Sequence, residues 1–200
     1  MVDVNRRRVA ALCAWAAALL AGCGETGTTP FKGIDITGAD YAQALSLPDA
    51  DGRPRTLADF RGKVAVVFFG YTQCPDVCPT TLAELAAVRQ SLGADGADVQ
   101  GVFVTLDPQR DTPAVLKAYV GNFSPDFVAL RGDDAQTRAA AKAFKVFYSK
   151  VPGATETSYT LDHTAGSYVF DRKGRVRLFT RYGTGGEALA HDLKILLAEE

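Results

Sequence analysis

Hydrophobic residues fall along this chain in blocks of two kinds. Val64–Gly70 (VAVVFFG) and Val99–Leu106 (VQGVFVTL) are nearly continuous β-branched and aromatic runs, the pattern of strands buried on both faces of a sheet. Between them, from Pro79 to Leu92, the residues Leu82, Leu85, Ala86, Val88 and Leu92 recur at the helical period and Gly93 follows; this predicts an amphipathic helix with a glycine stop. Asp111-Thr112-Pro113 predicts a second helix start, with a capping residue before a first-turn proline, running through Leu116 to Tyr119. Phe127–Leu130 reads as a short strand and Asp134–Phe144 as a helix. Ser167–Phe170 and Val176–Thr180 flank Asp171-Arg172-Lys173-Gly174, which predicts an antiparallel hairpin. A closing amphipathic helix from Gly185 carries Leu189, Leu193, Ile195 and Leu196. Upstream, residues 44–60 (ALSLPDADGRPRTLADF) read as a strand, a turn at Asp51-Gly52, a returning strand and a short helical turn.

Crossover helices in the middle and a hairpin near the end make an α/β sandwich with a central mixed sheet flanked by helices, here with an N-terminal β-hairpin extension. Two cysteines just past the first central strand, at the mouth of a helix, suggest the thioredoxin-like version of that fold. Fold alone says nothing of function, which has to come from the site.

The first 23 residues follow another pattern. MVDVNRRR is basic, VAALCAWAAALL is a short apolar run and LAGC closes it. That order is a secretory signal, too short and wrongly flanked to be a membrane anchor itself. Leu20-Ala21-Gly22-Cys23 resembles the bacterial lipobox, which implies a signal over residues 1–22 and a lipid-bearing Cys23 on the extracytoplasmic face of the cell membrane. Residues 23–40, rich in Gly and Thr and without periodicity, read as a flexible tether, and the domain as residues 41–200. With 47% hydrophobic residues the domain has an ordinary core, and a formal net charge of −1 with scattered basic residues excludes a nucleic-acid partner. No P-loop or dinucleotide fingerprint is present.

Processing changes the cysteine count. Cys13 leaves with the signal and Cys23 is consumed by lipid, so Cys74 and Cys78 remain as the thiols. In an oxidising compartment two near thiols close into a disulfide unless something reduces them. Stapling a loop is a weak reason for the pair, because so short a closure removes little unfolded-state entropy. Pro79 disfavours helical torsions at Cys78, which predicts a helix starting with Cys78 at the cap and its sulfur at the positive end of the dipole, where the pKa falls. Cys74-Pro75-Asp76-Val77 is then a turn that brings the two residues within disulfide or metal-sharing range.

Thioredoxin-like redoxins have two residues between their cysteines; here there are three. They also resemble one another in a proline before a later strand facing the cysteines, whereas this chain has no proline after Pro152 and offers His163 in the matching region. Two thiolates and one imidazole suit copper as Cu(I), or as Cu(II) with further ligands, and lack the fourth position of structural zinc.

FFGYTQCPDVCPTTL, VTLDPQRDTP and LDHTAGSYVFDRKG, in that order, resemble the three hallmark blocks of the SCO/SenC family. That resemblance, over roughly residues 42–198, implies a membrane-tethered, thioredoxin-like copper chaperone for cytochrome c oxidase. It implies Cys74, Cys78 and His163 as copper ligands, and delivery to the binuclear copper site of oxidase subunit II or a similar copper enzyme. It also matches Asp107 and Asp111 to the acidic pair of the middle block, and Asp162 to the acid beside the histidine. The family is often anchored by an N-terminal transmembrane helix, from which this chain departs. A thiol–disulfide oxidoreductase is the alternative, with Cys74 and Cys78 reducing the cysteines of the copper-receiving partner; both functions need a thiol reductant.

Bland readings stand beside these for several residues. Asp162 either orients His163 or caps a loop. Asp107 precedes Pro108 and fits a turn, Asp111 most simply caps a helix, and His191 lies off the leucine stripe of the last helix, on a solvated face. Tyr71 and Phe69 read as core or rim aromatics.

Overall fold

A computed structural model describes residues 30–155 and 158–199. In chain order its strands are β1 (Ile34–Asp35), β2 (Ser46–Pro48), β3 (Pro54–Thr56), β4 (Val64–Gly70), β5 (Val99–Thr105), β6 (Val128–Leu130), β7 (Tyr148–Pro152), β8 (Tyr159–His163), β9 (Gly166–Phe170) and β10 (Val176–Arg181). The α-helices are α1 (Val77–Ser91), α2 (Pro113–Gly121), α3 (Asp134–Ala143) and α4 (Gly186–Ala198).

Six strands form one mixed sheet in the order β1-β10-β9-β4-β5-β6. β4 pairs in parallel with β5 and antiparallel with β9, so it lies in the middle with every residue buried. Its alternating side chains divide the core. Phe68 lies opposite Phe103, which meets Tyr119, and both rings face Cys78 on the side covered by α1 and α2. Phe69 points the other way and meets Phe144, which also packs on Tyr168 and Phe170. This two-sided burial is why β4 reads as an unbroken apolar run rather than an alternating one. Leu82, Leu85 and Val88 of α1, and Leu189, Leu193 and Leu196 of α4, are buried as the helical period predicts. The architecture is the expected α/β thioredoxin-like one, and β2 with β3 forms the expected N-terminal hairpin.

Outside the cysteine site the structure differs from the sequence reading in three places. The domain begins before Tyr41: Ile34 and Asp35 pair with β10, and the backbone N–H groups of Lys32 and Gly33 donate to the buried carboxylate of Asp192 at 2.8 and 2.7 Å. The signal, Cys23 and the tether up to residue 29 lie outside the described residues. The second difference concerns the cap of α2, which is Thr112: its hydroxyl accepts from the Val115 N–H, and Asp111 turns inward instead. The third is a hairpin absent from the sequence reading, β7 with β8, which pairs outside the main sheet and carries His163 at its end, opposite Tyr148. Among the described residues no helix is long and apolar enough to cross a membrane.

Candidate metal centre

Gly70 ends β4, and the chain leaves the sheet through Tyr71-Thr72-Gln73 to Cys74. Helix α1 starts at Val77 rather than at Pro79, so Cys78 occupies its second position with Asp76 as the cap. The Cys78 side chain is fully buried and runs back over the end of β4. Only glycine allows this: a Cβ at position 70 would lie 2.7 Å from Cys78 Sγ and 2.9 Å from the Phe68 ring. Cys74, half-buried, sits above it, and the Cys78 backbone N–H donates to Cys74 Sγ at 3.4 Å.

His163 arrives from the other side of the sheet's end, 85 residues later, where β8 runs into β9. Its ring stands edge-on to Phe68 and Tyr71, with centroids 6.0 Å from each. Nδ1 lies 3.1 Å from the Thr164 carbonyl, which assigns the proton to that nitrogen and leaves Nε2, 3.6 Å from Cys78 Sγ, to face the sulfurs. Cys74, Cys78 and His163 thus offer three ligand atoms within 4.8 Å of one another. Cys74 and His163 border an open cleft of about 290 Å³ lined also by Pro75, Asp76 and Leu161, and Cys78 lies buried behind it.

The thiols are free and unequal. Hydrogen bonding from Cys78 lowers the Cys74 pKa from 9.0 to about 5, assisted by backbone N–H groups and His163 against a desolvation cost. Cys78 moves up, because it is the donor to Cys74 and is buried. This reverses the expectation that the helix dipole would make Cys78 the acidic thiol: at the second helical position, under the Phe68 and Phe103 rings, burial and donation outweigh the dipole. The thiolate is Cys74.

The two acids of the middle block are buried supports. Asp111 accepts from the Thr72 N–H at 3.1 Å and hydroxyl at 2.6 Å, and from the Thr105 hydroxyl, so it holds the loop that leads to Cys74. Burial raises its pKa, opposed by those hydrogen bonds. Asp107 accepts from Arg110 Nε and, at 2.8 Å, from the Tyr159 hydroxyl, which links it to the first residue of β8. Neither carboxylate belongs to the three-ligand cluster. Asp162 lies on the rim, exposed, and is outside that cluster as well. His191 is on the exposed side of α4 and bonds its neighbour Asp192. Gly70, Thr72, Arg110 and Tyr159 are the contributors that sequence reasoning missed. Of these, Arg110 had a signal, a cation held between two acids in Asp107-Pro108-Gln109-Arg110-Asp111.

Comparison with known proteins adds the following. The SCO1/SenC family pattern matches residues 35–198. The chain is similar to the SCO2-like protein of Rickettsia felis, with 38% identity over 132 residues, covering 66% of this chain and 64% of that relative. The match therefore spans just under two thirds of the relative's length. Among solved structures it resembles Bradyrhizobium japonicum ScoI with copper bound, at 39% identity and a TM-score of 0.69, covering 76% of this chain and 97% of that one. It also resembles apo Sco1 of Thermus thermophilus, at 35% identity and a TM-score of 0.72, covering 83% and 96%.

Proposed function

This chain belongs to the SCO1/SenC family, and from that premise we propose that it carries copper as cargo, held by Cys74, Cys78 and His163, and passes it to a partner protein. The observation that carries the reading is the convergence of two sulfurs and one imidazole nitrogen within 4.8 Å at an open cleft. Soft sulfur donors with one nitrogen suit Cu(I), and the half-exposed rim leaves room for the further ligands that Cu(II) takes. The similarity to a ScoI described with copper bound supports the same cargo. By the family resemblance the recipient is the binuclear copper site of cytochrome c oxidase subunit II or a similar copper enzyme. Residues 1–22 would be a lipoprotein signal and Cys23 the lipidated residue, holding the domain on the extracytoplasmic face of the membrane. Asp107 and Asp111 act as supports of the ligand-bearing segments, and Asp162 as a rim acid.

One observation favours a second activity of the same pair. A thiolate at Cys74 above a protonated, buried Cys78 is the arrangement of a thiol reductant. Cys74 would attack a disulfide of the recipient, forming a mixed disulfide and releasing a recipient thiolate. Cys78 would then give its proton to that thiolate and attack Cys74 sulfur, closing the Cys74–Cys78 disulfide and expelling the second recipient sulfur as a thiolate, which takes its proton from water. A thiol reductant must afterwards reopen the pair.

Anaerobic titration of the reduced full chain with Cu(I) and Cu(II), read by absorption and electron paramagnetic resonance, tests the reading. His163→Ala should lose most Cu(II) affinity while retaining thiol exchange, and Cys74→Ser with Cys78→Ser should lose both. Undiminished copper binding in His163→Ala would refute the three-ligand set.

A further inference from the structure

The hairpin that brings His163 to the sulfurs lies outside the main sheet, and β7 is largely exposed. An isolated two-stranded hairpin is marginal in water, so something else must hold its histidine in place. Leu161 of β8 packs into the core, and the polar anchor is Arg110. Its Nε donates to the buried Asp107 carboxylate, and its Nη1 donates to the Tyr159 carbonyl at 2.8 Å. Its guanidinium carbon lies 3.6 Å from the Tyr159 ring centroid and 5.8 Å from that of Tyr71. The Tyr159 hydroxyl returns to Asp107, closing a ring of contacts around the first residue of β8. Arg110 Nη2, which has no hydrogen-bond partner among the described residues, is left to the aromatic faces. Tyr71 in turn meets the edge of His163.

Resting on the copper reading above, we infer that Arg110, with Tyr159, is the positioning residue of the histidine half of the centre, and that the Asp107–Asp111 loop is a single brace with two separable ends. The Arg110 end fixes β8, hence His163. The Asp111 end fixes Thr72, hence Cys74. The two ends are joined by the Asp111 N–H, which donates to the Asp107 carbonyl at 2.9 Å. A planar fork that stacks on one ring while bridging a carboxylate and a carbonyl is a job for arginine and not for lysine. Loss of Arg110 should therefore release the imidazole while Asp111 still holds the loop that carries Cys74.

The test uses the full chain with Arg110→Met, Arg110→Lys and Tyr159→Phe, the last keeping the ring under the guanidinium and removing one hydrogen bond. In metal-free protein, amide hydrogen exchange in residues 159–165 should rise about tenfold in both arginine variants and less in Tyr159→Phe, in line with the loss of one or two charge-assisted hydrogen bonds. Cu(II) affinity should fall by a similar factor, while the alkylation rate of Cys74 stays within about twofold of the parent. Unchanged exchange in 159–165, or Cys74 alkylation that shifts in proportion, would overturn the inference. Full rescue by Arg110→Lys would overturn it too, because charge alone would then suffice. Because exchange and alkylation are read without metal, the brace stands or falls independently of the copper assignment. Should Arg110→Met fail to fold, Tyr159→Phe carries the same comparison.

Discussion

The inequality of the two thiols can be tested through the pH dependence of alkylation. Cys74 has a pKa near 5 in place of the ordinary 9.0. At pH 5 about half of it is thiolate, against roughly one part in ten thousand for an ordinary thiol, a gain of about 5,000-fold. Intrinsic nucleophilicity falls with pKa at a Brønsted slope of about 0.4–0.5, so four units cost roughly 40- to 100-fold. Cys74 should then react about 50- to 125-fold faster than an unperturbed thiol at pH 5, near parity at pH 7, and some 20- to 50-fold slower at pH 9. Rate against pH for iodoacetamide, with peptide mapping to assign the modified residue, reads this directly. The curve should inflect near pH 5 and flatten above about pH 6, with label on Cys74 and almost none on Cys78. Since the largest cause of the shift is Cys78 acting as donor, Cys78→Ala should move the inflection upward. An inflection between about 8 and 9, the ordinary thiol range, or preferential labelling of Cys78, would refute the reasoning.

Two further outcomes follow from single contacts. Gly70→Ala puts a methyl group 2.7 Å from Cys78 Sγ and 2.9 Å from Phe68. It should cost about 1–3 kcal/mol in a denaturant titration and weaken Cu(I) binding by displacing the buried sulfur. Asp192→Ala leaves the Lys32 and Gly33 N–H groups without their acceptor; it should destabilise by about 1–3 kcal/mol and raise hydrogen exchange in residues 31–36, with no change in Cys74 alkylation.

Much of the fold was legible because its centre is simple. β4 and β5 are buried on both faces and read as continuous apolar runs, and the helices on the sheet keep their leucines in period. What was hidden lies where burial does not pattern the chain. β7 is mostly exposed and pairs only with β8, so Tyr148–Pro152 shows no alternation to find. At Asp111-Thr112 two residues of cap-forming type stand side by side before Pro113. Only the fold decides between them, because Thr72 and Thr105 offer the carboxylate hydrogen bonds that a solvent-exposed cap does not. The spacing of Cys74 and Cys78 announced a chemical site, and the absence of a proline beside His163 named its third member. The order of acidity could not be read the same way: the dipole argument sees only the local helix, whereas Cys78 is governed by its hydrogen bond to Cys74 and then by its burial.

Burial also sets the order in which cargo could leave the proposed centre. Cys78 is fully enclosed, while Cys74 and His163 are half-buried at the cleft. On the proposed reading a recipient ligand would approach from the cleft side, so exchange would begin at Cys74 or His163 and end at Cys78. Of the first two, Cys74 is tied to the α1 terminus by the Cys78 N–H and through Thr72 to Asp111, whereas His163 rides on a hairpin outside the main sheet, held by the Arg110 cluster and by the buried Leu161. Local opening favours elements with few buried contacts, and β7 of the hairpin is largely exposed. On the proposed copper reading the imidazole would be the first ligand to yield, and loosening the Arg110 clamp should make it yield more readily.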